Sequence, residues 1–111
     1  MHELSIYAHF TSKEELDRAI RQHLNDQWKA INKTDRLVLE LIAKYSAEHL
    51  AAQMTHKVME EELGVSNTTI RRTLRKLEKL KMIERIPYVK PTLNGLGPNI
   101  YVVLPVEDGV I

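Results

Sequence analysis

Residues 55–83, THKVMEEELGVSNTTIRRTLRKLEKLKMI, decide how this chain is read, because they divide into two helical stretches around one tight turn. The Thr55 hydroxyl can accept a bond from a free amide at a helix start, so the first helix is expected from about Thr55 to Leu63. Gly64 ends it. Glycine takes the left-handed backbone conformation without a Cβ penalty, and Gly64-Val65-Ser66 can turn the chain while Val65 tucks inward. Ser66 or Asn67 caps the next helix. Along it Ile70, Leu74, Leu77 and Leu80 recur at helical spacing, an apolar stripe that must face a core. Thr68, Arg71, Arg72, Arg75 and Lys79 fall on the outer faces.

On the amino-terminal side, residues 4–10 (LSIYAHF) alternate loosely and suit a short strand or an extended arm. A helix starts near Thr11 to Glu15, with Ser12 and Glu15 as a capping box and Glu14-Glu15 at the positive end of the dipole. Leu16, Ala19, Ile20, Leu24, Trp28 and Ile31 then trace one apolar stripe. Asn32-Lys33-Thr34 breaks it, and Thr34 or Asp35 caps a further helix with the stripe Leu37, Val38, Leu41, Ile42 and Tyr45. Residues 46–54 either prolong that helix or supply a loop and short strand. On the carboxyl-terminal side, Ile83 to Val89 and Asn99 to Leu104 are rich in β-branched and aromatic residues and read as strands. Between them Lys90 to Pro98 holds two glycines and two prolines, which indicates a protruding hairpin loop rather than a third element, with Asn94-Gly95 as the turn pair.

The chain's 111 residues fit one small domain with an extension. It has no cysteine, which excludes disulfides and thiolate metal sites. No apolar run nears the roughly 20 residues that span a bilayer, and MHELSIYAHF lacks the features of a signal peptide, so a soluble, cytoplasmic protein is expected, with no membrane partner. The net charge is only +1, but it is segregated. Residues 66–91 hold eight Lys or Arg against Glu78 and Glu84, whereas residues 1–65 hold eight basic and eleven acidic residues and residues 92–111 only Glu107 and Asp108. A solvated helix face would pair such cations with glutamates four residues away. Glu78 stands almost alone, which favours a phosphate-facing surface.

Other constellations carry no chemistry. The five histidines lack helix-face spacing for a metal and read as scattered surface residues, and Glu60-Glu61-Glu62 spreads around its helix as a solvated face. No nucleophile with its base and no Gly-rich phosphate loop is present, so no enzyme, no cofactor and no metal are expected. One Trp and one Phe leave little room for a small-molecule pocket.

Leu63-Gly64-Val65-Ser66, then Thr69-Ile70, Leu74, Leu77 and Met82-Ile83, and a Gly-rich hairpin ending in Asn99-Ile100-Tyr101 resemble the winged helix-turn-helix domains. Within them the chain is similar to the small helix-turn-helix proteins of Gram-positive bacteria, their phages and plasmids, over about residues 33–105. The resemblance implies a mainly α fold with a small β-hairpin wing (α+β), here with an extra amino-terminal helix. The expected organisation is an arm and amphipathic helix at 1–31, the winged domain at 32–105 and a tail at 106–111. One position departs from the pattern. Where such domains usually close the second helix with glycine, this chain has Lys81, so the turn either holds a strained lysine or is built differently.

The resemblance implies sequence-specific binding of double-stranded DNA, as a transcriptional regulator or a replication or partition factor, at the nucleoid. It places Asn67, Thr68, Arg71 and Arg72 nearest the bases, with Thr69 in the same small, polar first turn. Ser66, Arg75, Lys76 and Lys79 are assigned to phosphates, as are Thr55, His56 and Lys57 at the preceding helix start, where capping is a compatible role. Lys90 and Asn94 can reach a minor groove from the wing, with Arg85 at its base; Leu93 and Leu96 equally suit packing on a partner. The stripe Leu16, Ile20, Leu24 and Trp28 either packs on the chain's own core or pairs across a two-fold axis, and a homodimer is expected. The competing function is a protein-interaction adaptor that binds no DNA.

Overall fold

The computed structural model describes residues 4–90, 95, 96 and 98–106, without the side chains of 89, 90, 95 and 96. Among them the chain forms a mixed α+β fold of four α-helices and a three-stranded antiparallel sheet, with a separate two-stranded ladder.

Helix α1 (Lys13–Asp26) starts at Ser12, whose hydroxyl accepts from the Glu15 amide at 3.1 Å. Only half of the expected capping box forms. The Glu15 carboxylate reaches one residue further back and accepts from the Thr11 amide (2.8 Å) and hydroxyl (2.9 Å), bonds that hold its pKa below the usual carboxylate value. The helix ends at Asp26, so the long stripe does not continue along it: Trp28 lies in the following turn, 62% exposed, and Ile31 is buried beyond it. Leu16 and Ile20 are buried in the chain's own core and Leu24 packs against it, because α1 lies against helix α2 (Lys33–Tyr45). That corrects the expectation of a dimerisation stripe: of its four residues only Trp28 is exposed. His23 is also buried, and its Nε2 donates to the Leu104 carbonyl at 2.6 Å, where a surface histidine was expected.

The cap of α2 is Asn32 rather than Thr34 or Asp35. Asn32 Oδ1 accepts from the Asp35 amide and Asp35 Oδ2 accepts from the Asn32 amide, each at 2.9 Å, a complete capping box. Val38, Leu39, Leu41 and Ile42 face the core, which leaves Leu37 and Tyr45 on the exposed side of the predicted stripe. After α2 the Ser46 hydroxyl donates to the Ile42 carbonyl, Leu50 turns the chain at φ 62°, and a short strand follows, β1 (Ala52–Met54). Of the two alternatives for residues 46–54, the chain adopts the loop and strand.

Helices α3 (His56–Leu63) and α4 (Asn67–Lys79) run as expected, with Thr55 and Ser66 as N-caps and Gly64 in the left-handed conformation at φ 66°. Ile70, Thr73, Leu74 and Leu77 are the buried face of α4. Its end answers the question posed by Lys81. At φ 62° this lysine occupies the left-handed position of a Schellman turn: its amide donates to the Glu78 carbonyl and that of Met82 to the Leu77 carbonyl, both at 3.0 Å. The buried side chains of Met82 and Leu77 belong to the same core cluster and supply the apolar contact of that motif.

Three strands follow the turn, with one more at the chain's far end. β2 (Ile83–Ile86) is shorter than the strand expected to Val89; the chain breaks at Pro87 and resumes as β3 (Val89–Lys90), which pairs with β4 (Gly95–Leu96). The loop thus contains a ladder of its own, contrary to expectation. β5 (Asn99–Val103) lies between β1 and β2, antiparallel to both, with Ala52 opposite Tyr101 and Ile83 opposite Val103. Paired on both edges, β5 is also covered on both faces. Tyr101 and Val103 join the helical core, while Ile100 and Val102 pack with Ala51 and Leu4 on the other side. Leu4 sits in a 3-10 turn (Leu4–Tyr7), so these residues form neither the strand nor the free arm suggested by their alternation. Among the described residues no helix is long and apolar enough to cross a membrane.

One ion pair ties the helices together. Lys76 Nζ lies 2.7 Å from Asp35 Oδ2, whose side chain is 2% exposed. Lys76→Met keeps the stem and strands the carboxylate, and should cost about 2 kcal/mol in chemical denaturation, part of it recovered by adding Asp35→Asn. A cost within roughly 0.5 kcal/mol of zero would show that the pair contributes nothing. Lys81→Gly should act in the opposite direction, raising stability by roughly 0.5 kcal/mol as the left-handed residue loses its Cβ.

Candidate nucleic-acid interface

α3 and α4 meet through a three-residue turn, and the same periodicity that sends Ile70, Leu74 and Leu77 inward sends the cations outward. Asn67 and Thr68 are exposed in the first turn of α4, while Thr69 is half-buried. The Ser66 hydroxyl accepts from the Thr69 amide at 3.2 Å and donates to Thr69 Oγ1 at 3.1 Å, so both side chains are engaged in capping. Thr55 does the same for α3, accepting from the Val58 amide at 3.1 Å. Asn67 Nδ2 donates to Glu60 Oε2 at 2.9 Å, and Lys57 is exposed one residue beyond the start of α3.

Arg71, Arg72, Arg75 and Lys79 are exposed and, among the described residues, take part in no ion pair. Lys76 does not belong with them. Its ammonium is committed to Asp35, a partner 41 positions away that no helical spacing reveals, and this corrects its assignment to phosphate. Arg85 on β2 is half-committed, with its Nε 3.7 Å from Glu78 Oε2. The wing contributes less that can be placed: the Lys90 backbone pairs with Gly95, but its side chain and all of Asn94 lie outside the described residues, as does Leu93.

The acidic triplet is not a plain solvated face. Besides Glu60, Glu62 accepts from the Tyr45 hydroxyl at 3.3 Å and lies 3.9 Å from Lys44. Among the described residues no group of three or more His, Asp or Glu could hold a metal ion.

His56 is the second histidine that departs from the surface reading. It begins α3, and its Nε2 is buried without a hydrogen-bond partner. The ring lines a cavity of about 70 Å³ together with Arg71, Leu74, Arg75, Glu78 and Arg85. Burial pushes its pKa below the ordinary value of 6.5, the Arg85 and Arg71 guanidiniums push it the same way, and Glu60 opposes them. At neutral pH this imidazole is therefore uncharged, amid three arginines and one glutamate. Sequence reasoning placed His56 and the arginines on one functional surface by different routes; that they enclose a common cavity depends on how β2 folds back, which local spacing does not encode.

In comparisons with known proteins, a model described as Domain of unknown function (DUF8612) matches residues 6–97. No curated protein and no solved structure matches. The family match runs from the amino-terminal 3-10 turn through every helix and past the outer ladder, and on that extent the chain belongs to the family of that domain of unknown function, DUF8612.

Proposed function

We propose that this chain is a winged helix-turn-helix protein that binds double-stranded DNA sequence-specifically, with α4 in the major groove. The order α2, β1, α3, tight turn, α4, β2, outer ladder and β5 suits that fold, with β1 and β2 on either side of β5. The observation that carries the functional reading is the row Arg71, Arg72, Arg75 and Lys79, exposed and without acidic partners among the described residues. A helix that buries one face and turns four unpaired cations outward lowers its self-repulsion by meeting a polyanion. Short polar residues lead that helix, so its backbone can approach base edges; Arg72 supplies a long donor that pairs with guanine. Arg71, Arg75 and Lys79 suit phosphates, and so do Lys57 and Arg85. The protein would act by occupying DNA, as a regulator or a replication or partition factor in the cytoplasm. Any two-fold pairing uses surface other than Leu16 and Ile20.

With about five phosphate contacts, affinity for a duplex should fall roughly 500-fold between about 50 and 200 mM salt. Arg72→Ala should cost about 1–3 kcal/mol on preferred sequences and flatten preference among sequences, whereas Lys79→Ala should weaken all of them alike and lower the salt slope by about 1. Sites selected from a random duplex pool and gel shifts on them measure both, and a palindrome with half-sites about 34 Å apart would report a dimer. No binding to any duplex at low salt would overturn the reading in favour of a protein-interaction adaptor.

A further inference from the structure

We propose that the cavity between α3, α4 and β2 receives a phosphate group, held by Arg71, Arg75 and Arg85 with His56 Nε2 as its buried donor. The proposal rests on the DNA-binding reading for the source of that group, a backbone phosphodiester. Its grounds are local. A buried imidazole nitrogen without a partner forfeits the hydrogen bonds it makes in water, and a polar cavity beside it is the place where they are regained.

Charge and size then select the occupant. Three guanidiniums and the Glu78 carboxylate line the space, and the 3.7 Å contact between Arg85 and Glu78 offsets one cation, leaving two uncompensated. An anion is favoured there and a cation is not. A volume of about 70 Å³ has room for several waters, and so for the oxygens of a phosphate. Guanidinium donors suit tetrahedral oxyanions because their forked geometry can engage two oxygens at once.

Proton uptake follows from the same arrangement. The groups around His56 are Glu60 on its own helix, Arg71, Arg75 and Glu78 on α4 and Arg85 on β2, with buried Tyr101 of β5 coupled to Arg85 and Glu78. In the unbound protein burial and the arginines favour the neutral ring. A bound phosphate supplies the opposite charge, raises the ring's pKa and favours imidazolium. By linkage, affinity increases as pH falls through the bound-state pKa and levels off below the lower free-state pKa.

The test follows the His56 ring by NMR in the full chain, titrated with inorganic phosphate and separately with a duplex of about 20 base pairs, against chloride at matched ionic strength. Both ligands should move the ring signals and raise the His56 pKa by about one unit, which corresponds to duplex affinity rising up to about tenfold on acidification. Arg71→Gln and Arg85→Gln should each weaken the phosphate response while amide dispersion is retained. His56→Gln should keep a donor in the cavity and abolish the pH dependence. If the duplex shifts α4 signals but leaves His56 and its pKa unmoved, the phosphate site is overturned and DNA binding stands. If phosphate moves His56 and no duplex binds, the site stands with free phosphate as its ligand and the DNA reading fails.

Discussion

The ion pair between Asp35 and Lys76 sets the geometry on which the rest of the structure depends. Asp35 Oδ2 receives the Asn32 amide, closing the start of α2, and it also receives the Lys76 ammonium from the last turn of α4. One carboxylate oxygen thus fixes where α2 begins and how α4 lies against it. Because α4 is amphipathic, fixing its position against α2 also fixes which residues face outward. The exposed cationic row is a consequence of that docking as much as of its own sequence. A buried charge of this kind is weak evidence for net stability, but it penalises any rotation of α4 that would separate the two groups.

The second constraint lies in the links from helix to strand. α2 leads to β1 through Leu50, and α4 leads to β2 through Lys81; both residues take a left-handed conformation that their side chains disfavour. The Schellman bonds at Lys81 and the buried Leu77 and Met82 offset that cost and bring β2 back under α4. Without that return Arg85 would not meet Glu78, and the cavity beside His56 would lack its third arginine.

What could be read from the residues followed from local physics. Thr55, Gly64 and Ser66 act on backbone groups within four positions, so both helix starts and the turn were legible; so was the inward stripe of α4, which depends only on periodicity. Local physics falls short where a partner is distant. Trp28 continued the apolar stripe of α1 on paper, but nothing local shows that the helix stops at Asp26. The Lys76 partner and the His23 bond to Leu104 are long-range, and each converted an apparent surface residue into a committed one. Residues 4–7 do not follow their alternating pattern, because Leu4 is positioned by the far face of β5 and not by its neighbours.

That central strand has a consequence for how the chain comes together in time. β5 is the common partner of β1 and β2, yet Met54 precedes its partner Asn99 by 45 positions and every helix lies upstream of β5. During synthesis all four helices can be complete while β1 and β2 still have open edges and the apolar side of the helices lacks its lid. Local contacts between α3 and α4 form at low entropic cost, but closure of this sheet waits for β5 to leave the ribosome. The emerging chain therefore passes through a stage in which its cationic helix is already built and its sheet is not.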